Sequence, residues 1–424
     1  MSISGNLLYA QSGGVTSVIN VSAAAVIETS RAHPDAIGRV FAAKDGILGV
    51  LNETLIDVTE EPEGNLRALK HTPSGAFGSC RYKLQDPERQ HREFDRVVDV
   101  FEQYNIRHFL YNGGNDSADT CLKLARQLEK RLGDVTVNHI PKTVDNDLAV
   151  TDCCPGFGSV AKYIAISTRE ASFDVAAMAS TSTKVFIIEV MGRHAGWIAA
   201  AGGLASDSET NIPIVILFPE VPFDRASFTH KVKHCVQTHG YVSIVVSEGA
   251  RYEDGRFLAE QGTRDAFGHA QLGGAAQVVA QIVRDDLGFK YHYAVADYLQ
   301  RSARHIASKT DFDQAYAVGK AAVEYAASGK SGLMPAIRRL SDAPYRWDIV
   351  EADLADIANT EKMLPRDFIS DDGFGITQSA RDYLSPLIAG ESYPPYSNGL
   401  PEYVRLRNIP IAPKLPADWS THKN

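Results

Sequence analysis

The sequence predicts an α/β protein of doubly wound parallel sheets, and three observations carry that prediction. Asn6 to Ala10 is a short apolar run that leads into the glycine turn Gln11-Ser12-Gly13-Gly14. Ile106 to Tyr111 leads in the same way into Asn112-Gly113-Gly114-Asn115-Asp116-Ser117, and Val135 to Ile140 leads into Pro141-Lys142-Thr143-Val144-Asp145-Asn146-Asp147. Strand, polar turn and helix recur, and in an open parallel sheet such turns gather outside the carboxyl ends of the strands, where ligands bind. At 424 residues and 44% hydrophobic content the chain exceeds a single core, so two domains are expected.

Composition narrows the function classes. A net charge of −9 argues against a nucleic-acid or anionic-membrane partner and leaves small molecules. Cys80, Cys121, Cys153, Cys154 and Cys235 form neither a CxxC pair nor a disulfide framework, which points to reduced, buried thiols. Apolar runs such as Ile212 to Phe218 are too short to span a bilayer, and no basic segment followed by an apolar core opens the chain. The expectation is a cytoplasmic enzyme.

Taken in order, the first turn aims backbone N–H groups and a helix from Val15 onward at an anion. It lacks the Walker lysine and the full dinucleotide fingerprint, so tight turn geometry accounts for its glycines equally well. Ile37 to Ala43 is a second strand. Thr72 to Lys83 is a Gly- and Ser-rich loop whose Arg81 and Lys83 suit a phosphate, although a solvated basic surface also explains an Arg-x-Lys. Ala118 to Leu132 has helical spacing. After Val135 to Ile140, Pro141 removes a backbone donor and is expected to end the ladder. Asp145 and Asp147 sit two apart and can face one side, one taking a hydroxyl proton while the other helps hold a metal; a turn cluster is the alternative.

Beyond Gly156 the alternation continues and predicts a second doubly wound sheet. Val160 to Ala177 reads as helix, Lys184 to Val190 as a strand ending in Met191-Gly192-Arg193-His194, and Pro213 to Phe218 as a strand. Tyr241 to Val246 is another strand, ending in Ser247-Glu248-Gly249. An Arg and a Glu at strand ends suit a sugar phosphate, with His194 as a supporting or core histidine. Gly273 to Leu287 reads as helix, and Tyr291 to Leu299 as an alternating strand running into Tyr298-Leu299-Gln300-Arg301. Ala315 to Ala327 is a helix and Gly329 to Gly332 a turn before further sheet; from Pro344 the chain, rich in Pro, Tyr and Asp, reads as an ordered but irregular extension.

Together, Ser12-Gly13-Gly14, Gly113-Gly114-Asn115-Asp116-Ser117, Pro141 to Asp147, Met191-Gly192-Arg193 and Tyr298-Leu299-Gln300-Arg301 resemble the phosphofructokinase family in order and spacing. The resemblance implies two similar, doubly wound (Rossmann-like) domains with the active site between them. The donor domain would be 1–156 plus about 302–345, the sugar-phosphate domain 157–301, and a C-terminal extension 346–424 would pack on the core. It also implies Mg2+, a homodimer or homotetramer, and roles for single residues. Asp145 would be the general base on the sugar 1-hydroxyl, Thr143 a substrate contact, and Asp147 a residue near the metal. Gly13, Gly14, Arg81, Gly114 and Asn115 would hold the phosphoryl donor. Arg193 would meet the transferring or sugar phosphate, Met191 and Gly192 line the sugar, Glu248 bind its hydroxyls, and Tyr298 and Arg301 grip the 6-phosphate. Lys184 would reach a neighbouring subunit's substrate, as would either Lys290 or His292.

Departures from the ATP-dependent pattern bear on the donor. The glycine loop there has Asp then Gly, whereas this chain has Asn115 then Asp116, and Lys142 replaces a glycine. Both changes resemble the diphosphate-dependent branch, and Asn115 in place of the usual aspartate puts metal ligation by that side chain in question. Asp116 fills the space an α-phosphate would need and repels it, while Lys142 supplies a cation beside the transferring group. The implied activity is reversible phosphoryl transfer from diphosphate to fructose 6-phosphate, with Lys142, Asp116, Asp145 and Arg193 at its centre. Ala24 and Glu28 stand where allosteric bacterial relatives carry effector-binding arginines, so little regulation by ADP or phosphoenolpyruvate is expected. The rivals are an ATP-dependent enzyme of the same fold, a silent sugar-phosphate sensor with no use for two costly carboxylates, and a dehydrogenase, which the missing Gly-x-Gly-x-x-Gly disfavours.

Overall fold

Two sheets, one mixed with four parallel strands and one all parallel, place the polar turns of each half of the chain at a common edge. The computed structural model describes residues 3–89, 91–264, 270–416 and 419. In the first sheet the strands run Ile409–Pro410, Leu55–Asp57, Ile37–Ala43, Gly5–Gln11, Ile106–Gly113 and Thr136–Pro141. The last four are mutually parallel and the first two antiparallel. Thr136–Pro141 is buried along its whole length, as expected of a strand covered on both faces. In the second sheet Tyr291–Val295, Val185–Val190, Val242–Ser247 and Ile214–Leu217 are all parallel.

Register sets the site. Gln11 pairs with Asn112 and Gly113 with Pro141, so the three turns leave the first sheet side by side. Val190 pairs with Ser247 and Val295 with Glu189, which brings Met191–Arg193, Glu248 and the segment after Val295 to one edge of the second.

Several boundaries differ from expectation for local reasons. Pro141 does not end the ladder: it lies in the strand, and the Lys142 N–H continues the pairing to the Gly113 carbonyl at 3.0 Å. The first helix is Ile19–Ser30, starting four residues later than Val15. The second turn's helix begins at once, as Asn115–Leu132. The expected strand to Leu299 stops at Val295, and Tyr298 and Arg301 sit on the helical turn Asp297–Ser302. Ser308 caps the longer helix Lys309–Ala327 by accepting from the Asp311 N–H.

Past Pro344 the chain is more regular than composition implies. Tyr345–Asp353 pairs antiparallel with Leu333–Asp342, so the expected boundary near 345 falls inside a hairpin; we propose a first unit that keeps this hairpin whole. The segment then packs across both halves and returns as Ile409–Pro410 to the edge of the first sheet. Two buried charged groups tie these layers. Asp311 accepts from the Gly156 and Ser159 N–H groups at 2.8 and 3.0 Å, at the start of helix Phe157–Met178, where an anion suits the helix dipole. Arg304, fully buried, donates to the Lys70 carbonyl and to Ser392 Oγ.

Helices Ile19–Ser30 and Lys309–Ala327 pack closely because Gly319 has no side chain: a Cβ there would lie 2.6 Å from the Ser22 carbonyl oxygen. Gly319→Val should therefore cost about 1–3 kcal/mol through overpacking. A lowered thermal midpoint with turnover per folded molecule little changed is the expected result.

Candidate active site

Between the two strand edges lies a cleft of about 600 Å³. From the first sheet it is lined by Ser12, Gly13, Gly14, Arg81, Gly114, Asn115, Asp116, Lys142, Thr143, Asp145 and Asp147; from the second by Met191, Arg193, His194, Glu248, Tyr298 and Arg301. Gly192, expected to line the sugar, is not among the lining residues; between Met191 and Arg193 its φ is +126°, and its carbonyl accepts from Ser247 Oγ at 2.6 Å. Lys184 does not line this cleft. Its ammonium donates to the Ala179 carbonyl at the opposite end of its strand, near Lys290, whose Nζ donates to Ser182 Oγ at 3.0 Å. His292 is exposed on the edge strand.

The loop bearing the two aspartates is built around Asn146. That residue adopts φ +55°, a left-handed conformation that asparagine tolerates better than most side chains. Its Oδ1 accepts from the Cys154 N–H at 2.9 Å and its Nδ2 donates to Tyr383 Oη at 3.0 Å. With Asn146 turned inward, Asp145 and Asp147 both reach the cleft. The Asp145 N–H donates to Thr143 Oγ1 at 3.1 Å, which fixes the start of the turn.

Opposite this loop the donor turn accepts two cations. Lys142 Nζ donates to the Gly14 carbonyl at 2.7 Å. A Cβ on Gly14 would lie 2.9 Å from Arg301 Nη1, so the missing side chain lets the guanidinium approach the turn closely. Arg301, expected at the sugar 6-phosphate, thus stacks on the Tyr298 ring, 3.8 Å from its centroid, and reaches the first turn. Asp116 is paired with Lys83 at 2.8 Å.

Asn115 does not present a free amide to a metal. Its Nδ2 donates to the Thr360 carbonyl at 2.7 Å and its Oδ1 accepts from the Asn359 N–H at 2.6 Å. The metal expectation then rests on Asp147, whose Oδ1 is buried without a partner among the described residues. Among those residues no three His, Cys, Asp or Glu side chains cluster to hold an ion alone. One carboxylate supplemented by phosphate oxygens still fits Mg2+, which commonly binds so.

Charge is concentrated. Burial, then Asp147 and Glu248, push the Asp145 carboxyl above its ordinary range, with Lys142 and Arg193 opposing. Burial likewise raises Asp147 and Glu248. Lys142 is pushed down to about 8 by burial and Arg301, against Asp147 and Asp145. His139, buried beside it, is held at about 3 by burial and by Lys142, so it stays neutral.

One lining residue carried no sequence signal. Glu361 enters from the C-terminal extension and accepts from or pairs with His194 Nδ1 at 3.0 Å. Its surroundings, Asn359 to Lys362, have neither periodicity nor a glycine turn to mark them.

Residues 6–326 match the model of the family described as phosphofructokinase. The chain belongs to the phosphofructokinase family. It is 61% identical over 416 residues to a Methylococcus capsulatus protein named pyrophosphate--fructose 6-phosphate 1-phosphotransferase, covering 98% of this chain and 99% of that one. A Halomonas elongata protein of the same name is 60% identical over 97% and 98% of the two chains. The crystal structure of a pyrophosphate-dependent phosphofructokinase from Nitrosospira multiformis superposes with a TM-score of 0.90 at 58% identity, over 97% of this chain and 99% of that one.

In a phosphofructokinase cleft of this kind a carboxylate can take a hydroxyl proton while surrounding cations neutralise a phosphoryl group. Asp145→Asn should fold normally and bind sugar phosphate yet lose roughly 10²–10⁴ in turnover; near wild-type turnover would remove Asp145 from the chemistry. The pH profile follows from the two shifts. A base with a raised pKa is protonated as pH falls, so kcat/KM should drop on the acid side at a pH above the ordinary carboxylate range. Lys142 loses its charge as pH rises through about 8, so kcat/KM for the donor should also drop there. An acid limb unchanged in Asp145→Asn, measured on its residual activity, would assign that limb elsewhere.

Proposed function

We propose that this chain transfers a phosphoryl group from diphosphate to the 1-hydroxyl of fructose 6-phosphate, reversibly, giving fructose 1,6-bisphosphate and phosphate. The observation that carries the choice of donor is the buried Lys142 at the first turn together with the Lys83–Asp116 pair at the second. The cation suits a short, highly charged donor, and the Asp116 side chain, held by Lys83, occupies space beside the glycine loop that an α-phosphate would need. The names of relatives at 61% and 60% identity support the same donor.

Asp145 takes the hydroxyl proton late in the transfer, with Thr143 fixing its turn. Lys142, Arg81 and the Gly13–Gly14 backbone hold diphosphate, and Arg193 neutralises the moving phosphoryl group. Glu248 accepts from sugar hydroxyls, while Met191 and Gly192 shape the sugar's seat. Arg301 and Tyr298 serve the 6-phosphate, and the position of the guanidinium beside Gly14 lets it share charge with the donor half. Asp147 would hold Mg2+ jointly with donor oxygens; when bound, the ion neutralises developing charge on phosphate. Catalysis by such a constellation is mostly positioning and electrostatics.

A second copy of the chain is part of this reading. Lys184, Lys290 and His292 lie away from the chain's own cleft, on the flank where edge-strand Tyr293 and Val295 are exposed. A homodimer or homotetramer would turn them toward a neighbour's site. No helix among the described residues is long and apolar enough to cross a membrane.

Initial rates with each donor test the proposal: the wild type should turn over fructose 6-phosphate with diphosphate and not with ATP, and Asp116→Gly should admit some ATP. Efficient ATP-driven turnover by the unmodified protein would overturn the donor assignment. Regulation is addressed by Glu28, which pairs with the Lys70 ammonium and accepts from Tyr316 Oη, each at 2.9 Å, beside the buried Ala24. Neither ADP nor phosphoenolpyruvate should shift the half-saturation of fructose 6-phosphate, and a clear shift with either would place an effector site here.

A further inference from the structure

The segment following helix Leu354–Ile357 crosses the cleft wall as a strap pinned at both ends. At the first end both amide atoms of Asn115 engage it, as described, and Asn359 Nδ2 donates to Asp119 Oδ1 at 3.1 Å, one helical turn beyond Asn115. At the second end the Lys362 N–H donates to the Asp147 carbonyl at 2.8 Å, and its ammonium donates to the carbonyls of Thr151 and Asp152 at 3.0 and 2.8 Å. The Lys362 carbonyl accepts from Trp197 Nε1 at 3.0 Å, so the second sheet's half shares the pin. Between the pins Glu361 forms an antiparallel bridge with Leu148 and turns its carboxylate to His194.

We propose that the strap Asn359–Lys362 is a working part of the donor site, with Asn115 as the positioning residue that docks it and Glu361 as the carboxylate it delivers to the cleft. The identity of residue 115 follows from this role. The position must donate to one strap backbone group and accept from the next, which an amide does and a carboxylate cannot: an aspartate would face the Thr360 carbonyl with oxygen against oxygen. Docking runs from the donor turn through Glu361 to His194, the neighbour of Arg193, and through Lys362 to the backbone of Asp147. Loosening the first end therefore frees the helix start beside the donor, while Lys362 keeps the second end pinned to the Asp147 carbonyl and to Trp197.

The inference rests on the diphosphate-dependent reading above, and wild-type turnover with diphosphate is the control that separates the two. Asn115→Asp conserves volume and should raise KM for diphosphate about tenfold, the worth of one such bond lost, with KM for fructose 6-phosphate held within about twofold. Asn359→Ala loosens the same end without altering a lining side chain and should give the same split, whereas a role of Asn115 confined to direct donor contact leaves Asn359→Ala at wild-type values. Hydrogen exchange of the peptide covering 354–364 supplies a readout apart from rate. Methylenediphosphonate with Mg2+ should slow it in the wild type, and both variants should speed it. If the wild type uses diphosphate but Asn359→Ala keeps its KM, or the diphosphonate leaves that peptide's exchange unchanged, the strap is not part of the donor site. If the wild type does not use diphosphate, the underlying reading fails instead.

Discussion

Two carboxylates on one short loop, in a cleft that penalises charge, set the demand that the surrounding structure answers. Asp145 and Asp147 are raised by burial, and the fields of Asp147 and Glu248 raise Asp145 further. Left alone, such a pair would neutralise by taking up protons. Lys142 and Arg193 oppose this within the cleft, and Lys362 opposes it from behind the loop. The glycines of the first turn matter here as absence of volume, since they let Lys142 and Arg301 come within contact of the backbone. The site is thus an arrangement of opposed charges awaiting polyanions, and the protein supplies most of the neutralisation in advance.

The sheet strands were legible because burial on both faces leaves continuous apolar runs, and the turns because their glycines and asparagines have specific backbone uses. Val137, Ile140, Leu7 and Leu8 are all fully buried and announce their strands in the sequence. Most cleft residues followed, since strand ends in a parallel sheet share an edge whatever the details of packing. What the sequence does not show has a common cause, namely contacts between segments distant in sequence. Nothing near Asn115 in sequence shows that Asn359 and Thr360 engage its amide. Nothing near Arg301 shows that its guanidinium also comes against Gly14. Ser308, by contrast, is a local signal: it caps its helix in the ordinary way.

The C-terminal extension carries more than its composition suggests. It contributes Glu361 to the cleft, Tyr383 to the support of Asn146, Ser392 to the buried Arg304, and a strand to the first sheet. The first two bear on the cleft, and the other two tie the layers behind it. Fold and chemistry are therefore not separable into an ancient core and a decoration.

That the outermost strand of the first sheet is Ile409–Pro410 has a consequence for how the molecule comes into being. The neighbouring strand, Leu55–Asp57, leaves the ribosome early and waits for a partner some 350 residues downstream, a separation that makes closure slow and late. Glu361 and Tyr383 arrive only shortly before it. A nascent chain can form the inner strands of both sheets while Glu361 and Tyr383 are still to come, so the cleft is completed only after the framework that carries it.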